Sequence, residues 1–479
     1  MMAKSPAAAR AGGMVPPAWT TAGGFFVWST HPRHRLIRPT KGEKTMATQI
    51  ELARDGKISP EMEEVARDEG LAAELIRQEV AAGTIVIPCN HGRQQRAVGI
   101  GRGLKTKVNA SIGTSSDIID YGAEVAKAQA AAEEGADTLM ELSVGGNLDE
   151  VRRQVLAATD LPVGNVPLYQ AFCEASRRYG DPNKLDEELL FELIEQQCAD
   201  GISFMAIHCG INLYTLERLR KQGYRYGGLV SKGGTQMIAW MLANNRDNPL
   251  YSQFDRVVDI LRRHDVVLSL GNGIRAGAIH DSSDRAQVAE LVINCELTEI
   301  GRQMGCQMMV EGPGHVPLDE IEGNIQLQKR MSGEAPYYVL GPLPCDVGAG
   351  YDHVTAAVGA ASSSRYGADL VCYITPAEHL ALPNEADVRE GVRVARLAVH
   401  MGDIVKLGKR GRERDLAMGK ARRDMQWQRQ YELGLFGPQA KKIRDERSPA
   451  DQATCTMCGE FCAAKNAEVL FADCLGDKR

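Results

Sequence analysis

From Lys105 to Ile374 the chain repeats one unit at a spacing of roughly 25–40 residues: a short apolar run, a glycine-rich polar turn, a helical stretch. Candidate strands are Lys107–Ile112, Thr138–Leu142, Val163–Leu168, Phe204–His208, Gly228–Val230, Val266–Leu270, Gln307–Val310, Tyr337–Leu340 and Leu370–Ile374. Helical patterns such as Ala123–Glu134 and Asp186–Ala199 lie between them. Parallel strands joined by helical crossovers must be covered on both faces, so the pattern predicts an α/β fold of the (β/α)8 barrel type, with a doubly wound open sheet as runner-up. Nine candidates for eight places mean that one is an extra. Polar residues and glycines gather just beyond the strand ends, in Ser111-Ile-Gly113, Glu141-Leu-Ser143, His208-Cys-Gly210, Ser231-Lys-Gly-Gly234, Asn272-Gly-Ile-Arg275 and Glu311-Gly-Pro-Gly-His315. That is where such barrels build their active sites.

The flanks read differently. Residues 46–104 form a small N-terminal domain of helices and one short strand near Thr84–Pro88, with Ser59-Pro60-Glu-Met-Glu-Glu as a helix start. Residues 105–383 are the barrel, 384–446 a charged helical domain, and 447–479 a tail entered through Arg447-Ser-Pro-Ala. Residues 1–45 carry seven Lys/Arg against Glu43 alone and show no periodicity. The expectation is an early start codon, with Met46 as the true beginning; a transit peptide or disordered tail is the alternative. The formal charge of −6 argues against nucleic-acid binding, and no apolar run has membrane-spanning length. Twelve cysteines in so long a chain do not read as a disulfide framework, and a reducing cytoplasm suits them.

The tail holds Cys455-Thr-Met-Cys458-Gly-Glu-Phe-Cys462. Three thiolates can hold three irons of a [4Fe–4S] cluster and leave the fourth open to a ligand such as S-adenosylmethionine. Cys474 offers a fourth ligand, and with it a structural zinc or closed cluster site. At the barrel mouth, Lys232 and Arg275 in glycine-rich loops suit an anionic ligand, most naturally a phosphate; surface cations are the plainer alternative. His315 and His379 at strand–helix junctions can together hold a divalent metal with an open position, as catalytic zinc requires, with Glu311 as general acid/base or as an orienting group. His353 and His400 are further candidates, and Tyr169 and Tyr338 are candidate substrate contacts.

These residues resemble a family. Lys107-Val-Asn109-Ala, Gly-Ala-Asp-Thr-Leu-Met140, Val-Pro-Leu-Tyr169-Gln-Ala, Ile-His208, Glu311-Gly-Pro-Gly-His315-Val-Pro, Gly-Tyr-Asp-His353, Tyr-Ile-Thr-Pro-Ala-Glu-His379-Leu and Cys-Thr-Met-Cys-Gly are similar to the ThiC-type radical S-adenosylmethionine enzymes. The resemblance runs from Met46 to about Lys465. It implies a barrel with a 5-aminoimidazole ribotide site, a C-terminal cluster domain, an electron donor, and a homodimer in which one subunit's cluster serves the other's barrel. Carried onto this chain, it implies that Cys455, Cys458 and Cys462 ligate the [4Fe–4S] cluster, and that His315 and His379 bind a divalent metal, zinc or iron. Ser111, Met140, Tyr169, His208, Ser231, Lys232, Gly233, Asn272, Gly273, Ile274, Arg275, Glu311 and Tyr338 would line the ribotide site, and Glu311 and the three cysteines would be catalytic.

The chain departs from the thiamine branch of the family, which makes hydroxymethylpyrimidine phosphate. Ser111 stands where Asn is usual, Glu141 where Asp is usual, and Lys232 where Arg is usual. Asn272-Gly-Ile-Arg-Ala replaces Asp-Gly-Leu-Arg-Pro. Exchanging Arg for Lys loses bidentate geometry, and Asn for Asp removes a charge. The departures resemble an anaerobic branch that turns the same ribotide into 5-hydroxybenzimidazole, a precursor of a cobalamin lower ligand. The competing reading from another class is a barrel metallohydrolase using His315 and His379, with a structural zinc tail.

Overall fold

The computed structural model describes residues 46–448 and 454–467. The early-start segment 1–45 and Cys474 lie outside the described residues, as do 449–453. The described residues from Met46 onward form one compact unit. It opens with helices Gln49–Arg54, Pro60–Glu69 and Ala73–Ala82 and a two-residue antiparallel ladder, β1 (Ile85–Val86) with β2 (Ile100–Gly101). Ser59 caps the second helix, its Oγ accepting from the Met62 N–H at 3.1 Å, and Pro60 takes the first helical position, where its missing N–H costs nothing. Met62, Val65, Ile76, Val80, Ile85 and Leu104 form a separate small core for these elements.

Eight parallel strands then close a barrel: β3 (Lys107–Ile112), β4 (Thr138–Glu141), β5 (Val163–Asn165), β6 (Phe204–Ile207), β7 (Val267–Leu270), β8 (Met308–Glu311), β9 (Tyr337–Leu340) and β10 (Leu370–Cys372). Closure is made by β10 on β3, with Leu370 opposite Lys107 and Cys372 opposite Asn109. All eight strands are buried almost throughout, as parallel strands between helices must be. Strand β5 is short because Pro167 starts the next helix and cannot extend the ladder.

The ninth candidate, Gly228–Val230, is not a strand. It contributes one antiparallel bridge, Leu229 to Ala276, outside the barrel. Glycine decides this: a Cβ on Gly227 would lie 2.3 Å from the Gly277 carbonyl carbon, so two backbones cross where side chains would be needed to fill a strand. The open-sheet alternative falls with the closed ring.

Acidic side chains pin the barrel floor. The Val108 N–H donates to Asp137 Oδ2 at 2.8 Å, the Tyr337 N–H to Asp369 Oδ2 at 3.0 Å, and the Thr106 N–H to Asp403 Oδ2 at 2.9 Å. Asp265 joins the N-terminal helices to the barrel. Its carboxylate accepts from the Gln49 N–H at 3.1 Å, from Gln307 Nε2 at 3.1 Å and from Cys89 Sγ at 3.1 Å. No helix among the described residues is long and apolar enough to cross a membrane.

Two outcomes test this frame. A Cβ on Gly164 would meet the Phe204 ring at 2.3 Å, so Gly164→Ala should overpack the barrel by about 1–3 kcal/mol, read as a lower thermal midpoint. Burial raises the Asp265 carboxyl from 3.8 to about 7, so the folded state holds a proton that the unfolded chain has already released. That stabilisation is fully present below the unfolded value and is lost as pH rises through about 7. Asp265→Asn should therefore lose more thermal stability relative to wild type at pH about 5 than at about 8; an equal gap at both would refute the assignment.

Candidate active site

The mouth loops are built on buried carboxylates that accept backbone N–H groups. After β3, the Gly113 N–H donates to Glu124 Oε2 at 2.7 Å, and the position needs glycine: φ is +148° and a Cβ there would strike the Ser143 nitrogen at 2.5 Å. After β4, Glu141 Oε1 accepts from its own loop at Ser143 N, 2.8 Å away. Ser143 Oγ in turn accepts from the Thr114 N–H at 2.9 Å, which ties the two adjoining loops together.

After β6, His208 is fully enclosed. Its carbonyl accepts from Asn248 Nδ2 at 2.8 Å, and its Nε2 lies 3.0 Å from Ser231 Oγ. A Cβ on Gly233 would come within 2.6 Å of the ring, and one on Gly273 within 3.0 Å, which gives the glycines of both loops a steric reason. Burial, helped by the Arg275 charge, pushes the His208 imidazole down to about 3, so it is neutral near pH 7. Its Nδ1 is buried without a partner. Ser231 also caps the helix Lys232–Asn244, accepting from the Gly234 N–H at 3.1 Å. That helix therefore begins at the mouth with its positive dipole end, Lys232 at its first position. The Lys232 Nζ stands 4.8 Å from the Tyr169 ring centroid.

The loop after β7 lies beside Glu311. Asn272 N–H donates to Glu311 Oε2 at 3.2 Å and Ser269 Oγ to Glu311 Oε1 at 3.4 Å. Burial raises the Glu311 carboxyl, with Arg275 and the Asn272 N–H pulling the other way. Burial also raises the Tyr169 phenol, which feels the charges of Arg275 and Glu311. Arg275 itself is tied by Nη1 to the Asn272 carbonyl at 3.0 Å. Behind the loop, Glu290 accepts from Asn272 Nδ2 at 2.9 Å, Gly273 N at 2.7 Å and Ile274 N at 2.8 Å.

A second set lines the barrel interior. Asn109 Nδ2 donates to the Tyr338 hydroxyl at 2.8 Å, Tyr338 reaches Met140 Sδ at 3.4 Å, and Ser111 Oγ lies 3.3 Å from Cys372 Sγ. Met140, Ser111 and Tyr338 are thereby brought together with Asn109 and Cys372.

His315 and His379 face each other, ring centroids 5.3 Å apart. His315 Nδ1 is held by Asp346 Oδ1 at 2.8 Å and His379 Nδ1 by Asp352 Oδ2 at 3.2 Å. A carboxylate on Nδ1 leaves Nε2 free to ligate, the usual orientation of a metal-binding histidine. His353 stacks on Tyr351 at 6.2 Å, its Nδ1 buried without a partner. His400 is not at the mouth: it pairs with Asp415 at 2.8 Å among the C-terminal helices and lines a cavity at the barrel floor with Lys107 and Asp137.

In the tail, Cys455 and Cys462 are half-buried and Cys458 is exposed, with the Gly459 N–H donating to the Cys455 carbonyl at 3.3 Å. No disulfide ties them. Among the described residues no three or more His, Cys, Asp or Glu side chains are gathered to hold a metal, so the three thiols do not converge and the histidine pair offers two ligands. The donor set nonetheless fits an iron–sulfur cluster. Thiolates repel one another until a metal draws them in, so such sites close on loading.

Glu290, Asn294, Asn248 and Glu124 had no place in the sequence reading. One signal was available. Ala286, Glu290, Asn294 and Thr298 recur every four residues, so polar side chains fall on the stripe that a barrel helix turns inward.

A model described as the Radical SAM ThiC family matches residues 48–469. A 5-hydroxybenzimidazole synthase of Geobacter metallireducens is 72% identical over 434 residues, 90% of this chain and 100% of that protein. One of Geobacter sulfurreducens is 70% identical over the same shares. Phosphomethylpyrimidine synthase 1 of Methanosarcina barkeri is 56% identical over 418 residues, 87% of this chain and 97% of that protein. Such a family uses S-adenosylmethionine and an iron–sulfur cluster, which removes the metallohydrolase alternative. With a match that runs from the N-terminal helices through the barrel into the cysteine tail, the chain belongs to the radical SAM ThiC family.

Proposed function

We propose that the protein is a radical S-adenosylmethionine lyase that converts 5-aminoimidazole ribotide to 5-hydroxybenzimidazole, for a cobalamin lower ligand. The observation that carries this is 72% identity to a 5-hydroxybenzimidazole synthase over that protein's whole length, against 56% for a phosphomethylpyrimidine synthase.

The residues divide the work by their chemistry. The ribotide phosphate is a dianion, and the mouth offers it Lys232, Arg275 and the N-terminus of the helix that Ser231 caps. Tyr169, under the Lys232 ammonium, closes one side and sheds water from that charge. His208, neutral and clamped between glycine loops, binds as a hydrogen-bonding imidazole rather than as a cation. Glu311 is buried and raised toward neutrality, which suits a group that takes and returns protons from the imidazole ring or sugar. Met140, Tyr338 and Ser111 form the floor beneath the ring.

His315 and His379 would hold a divalent metal, zinc or iron, through Nε2, which supplies Lewis-acid polarisation of a substrate oxygen. Cys455, Cys458 and Cys462 would hold the [4Fe–4S] cluster, which supplies the electron for reductive cleavage of S-adenosylmethionine. Its electrons come from a reduced donor in the cytoplasm. A homodimer lets one subunit's tail serve its partner's barrel.

The deciding experiment is an anaerobic single turnover with reconstituted protein, the ribotide, S-adenosylmethionine and dithionite, with products read by mass spectrometry. 5-Hydroxybenzimidazole is expected; hydroxymethylpyrimidine phosphate would overturn the assignment and make the Ser111, Lys232 and Asn272 departures tolerated drift. Cys458→Ala should reduce 5′-deoxyadenosine formation to background, while wild-type rates would refute the cluster assignment. Asp346→Asn should weaken metal retention at His315 about 10–100-fold in a chelator titration. Arg275→Ala should raise the ribotide KM about 10–100-fold, the worth of one charge-assisted contact to phosphate.

A further inference from the structure

Glu290 lies on the helix Arg285–Gln303, behind the mouth, and it is fully buried. Three donors converge on its two oxygens. Gly273 N–H donates to Oε1 at 2.7 Å, and Ile274 N–H and Asn272 Nδ2 donate to Oε2 at 2.8 and 2.9 Å. One turn along the same helix, Asn294 Nδ2 donates to the Gly271 carbonyl at 3.2 Å. The helix therefore grips the loop from Gly271 to Ile274 at four points.

Burial raises Glu290 to about 7, and the three converging donors favour its ionised form. In that form it only accepts, so Asn272 presents its NH2 to Glu290. Its carbonyl Oδ1 then faces elsewhere, and there it is buried with no protein partner, on a residue only 2% exposed. An orphaned buried acceptor is costly unless something donates to it. The Asn272 backbone N–H meanwhile donates to Glu311 at 3.2 Å. Asn272 is thus the link between Glu290 on one side and Glu311 on the other.

We propose that Glu290 is a positioning residue for this active site: by fixing Asn272 it aims Oδ1 as an acceptor at an N–H or O–H group of the ligand and sets where Glu311 stands. This deepens the ribotide reading and rests on it, since the exocyclic amine and the ribose hydroxyls supply donors of that class. An aspartate at 272 would reverse the logic. Two carboxylates 2.9 Å apart must share a proton, and the mouth would gain either a negative charge or a protonated oxygen. The Asn272–Glu290 pair is therefore a device by which this chain keeps an uncharged acceptor next to Glu311.

The test measures ribotide binding by calorimetry on the reconstituted protein without S-adenosylmethionine, and then turnover. Glu290→Gln must turn its NH2 against at least one of the three loop donors and should weaken ribotide binding about tenfold or more. S-Adenosylmethionine cleavage should continue but become uncoupled from product. Should E290Q fold poorly by thermal midpoint, Asn272→Ala removes the acceptor and leaves the Gly273 and Ile274 contacts, and the same loss of binding is expected. Binding within about twofold of wild type in E290Q or N272A, or product formation still coupled to S-adenosylmethionine cleavage in E290Q, overturns the proposal. A wild-type protein that does not bind the ribotide at all would instead sink the functional reading itself, and this inference with it.

Discussion

The ladder between Leu370–Cys372 and Lys107–Asn109 closes the ring, and everything at the mouth is referred to it. Closure leaves no strand edge, so each strand end is fixed by two neighbours and each following loop starts from a set place. The Asn109 amide, the Tyr338 hydroxyl and Cys372 come from three consecutive strands across that seam, β3, β9 and β10. The interior of the site therefore exists only in the closed ring.

Buried carboxylates do the next share of the work, at both ends. At the floor, Asp137, Asp369 and Asp403 accept N–H groups at or just before strand starts. At the mouth, Glu124, Glu290 and Glu311 accept N–H groups of the loops after β3 and β7. Burying a carboxylate is costly, and these sites recover the cost by satisfying loop backbone that no secondary structure would satisfy. Burial raises Asp265 and Glu290 to about 7 and raises Glu311 as well. In Glu311, where burial raises the carboxyl and Arg275 opposes it, the same penalty would suit the proton transfer proposed above.

Much of this was legible in the chain. The strand–turn–helix repeat located the eight barrel strands to within a residue or two at most ends, because a fully buried parallel strand needs a continuous apolar run. The glycines after β6 and β7 were legible as loops but not as walls around His208; that role depends on a ring arriving from another strand. Gly228–Val230 misled because an apolar triplet between turn residues has the composition of a strand, and only the crossing of Gly227 over Gly277 shows that it has no ladder to join. His400 misled similarly, since an imidazole in a helical pattern says nothing about which end of the barrel it faces.

The sequence by itself determined the fold class, the family, and which residue types gather after which strands, because apolar periodicity and short motifs are local properties of the chain. Tertiary structure alone decided which of those residues meet. Glu290 is separated from Gly273 by seventeen residues, yet it holds that loop in place. Asn109 and Tyr338, 229 residues apart, share one hydrogen bond. His315 and His379 face each other only because two loops converge over the barrel mouth. Such contacts arise from ring closure, which brings distant strand ends to one rim, and no local pattern encodes which side chains that rim will set face to face.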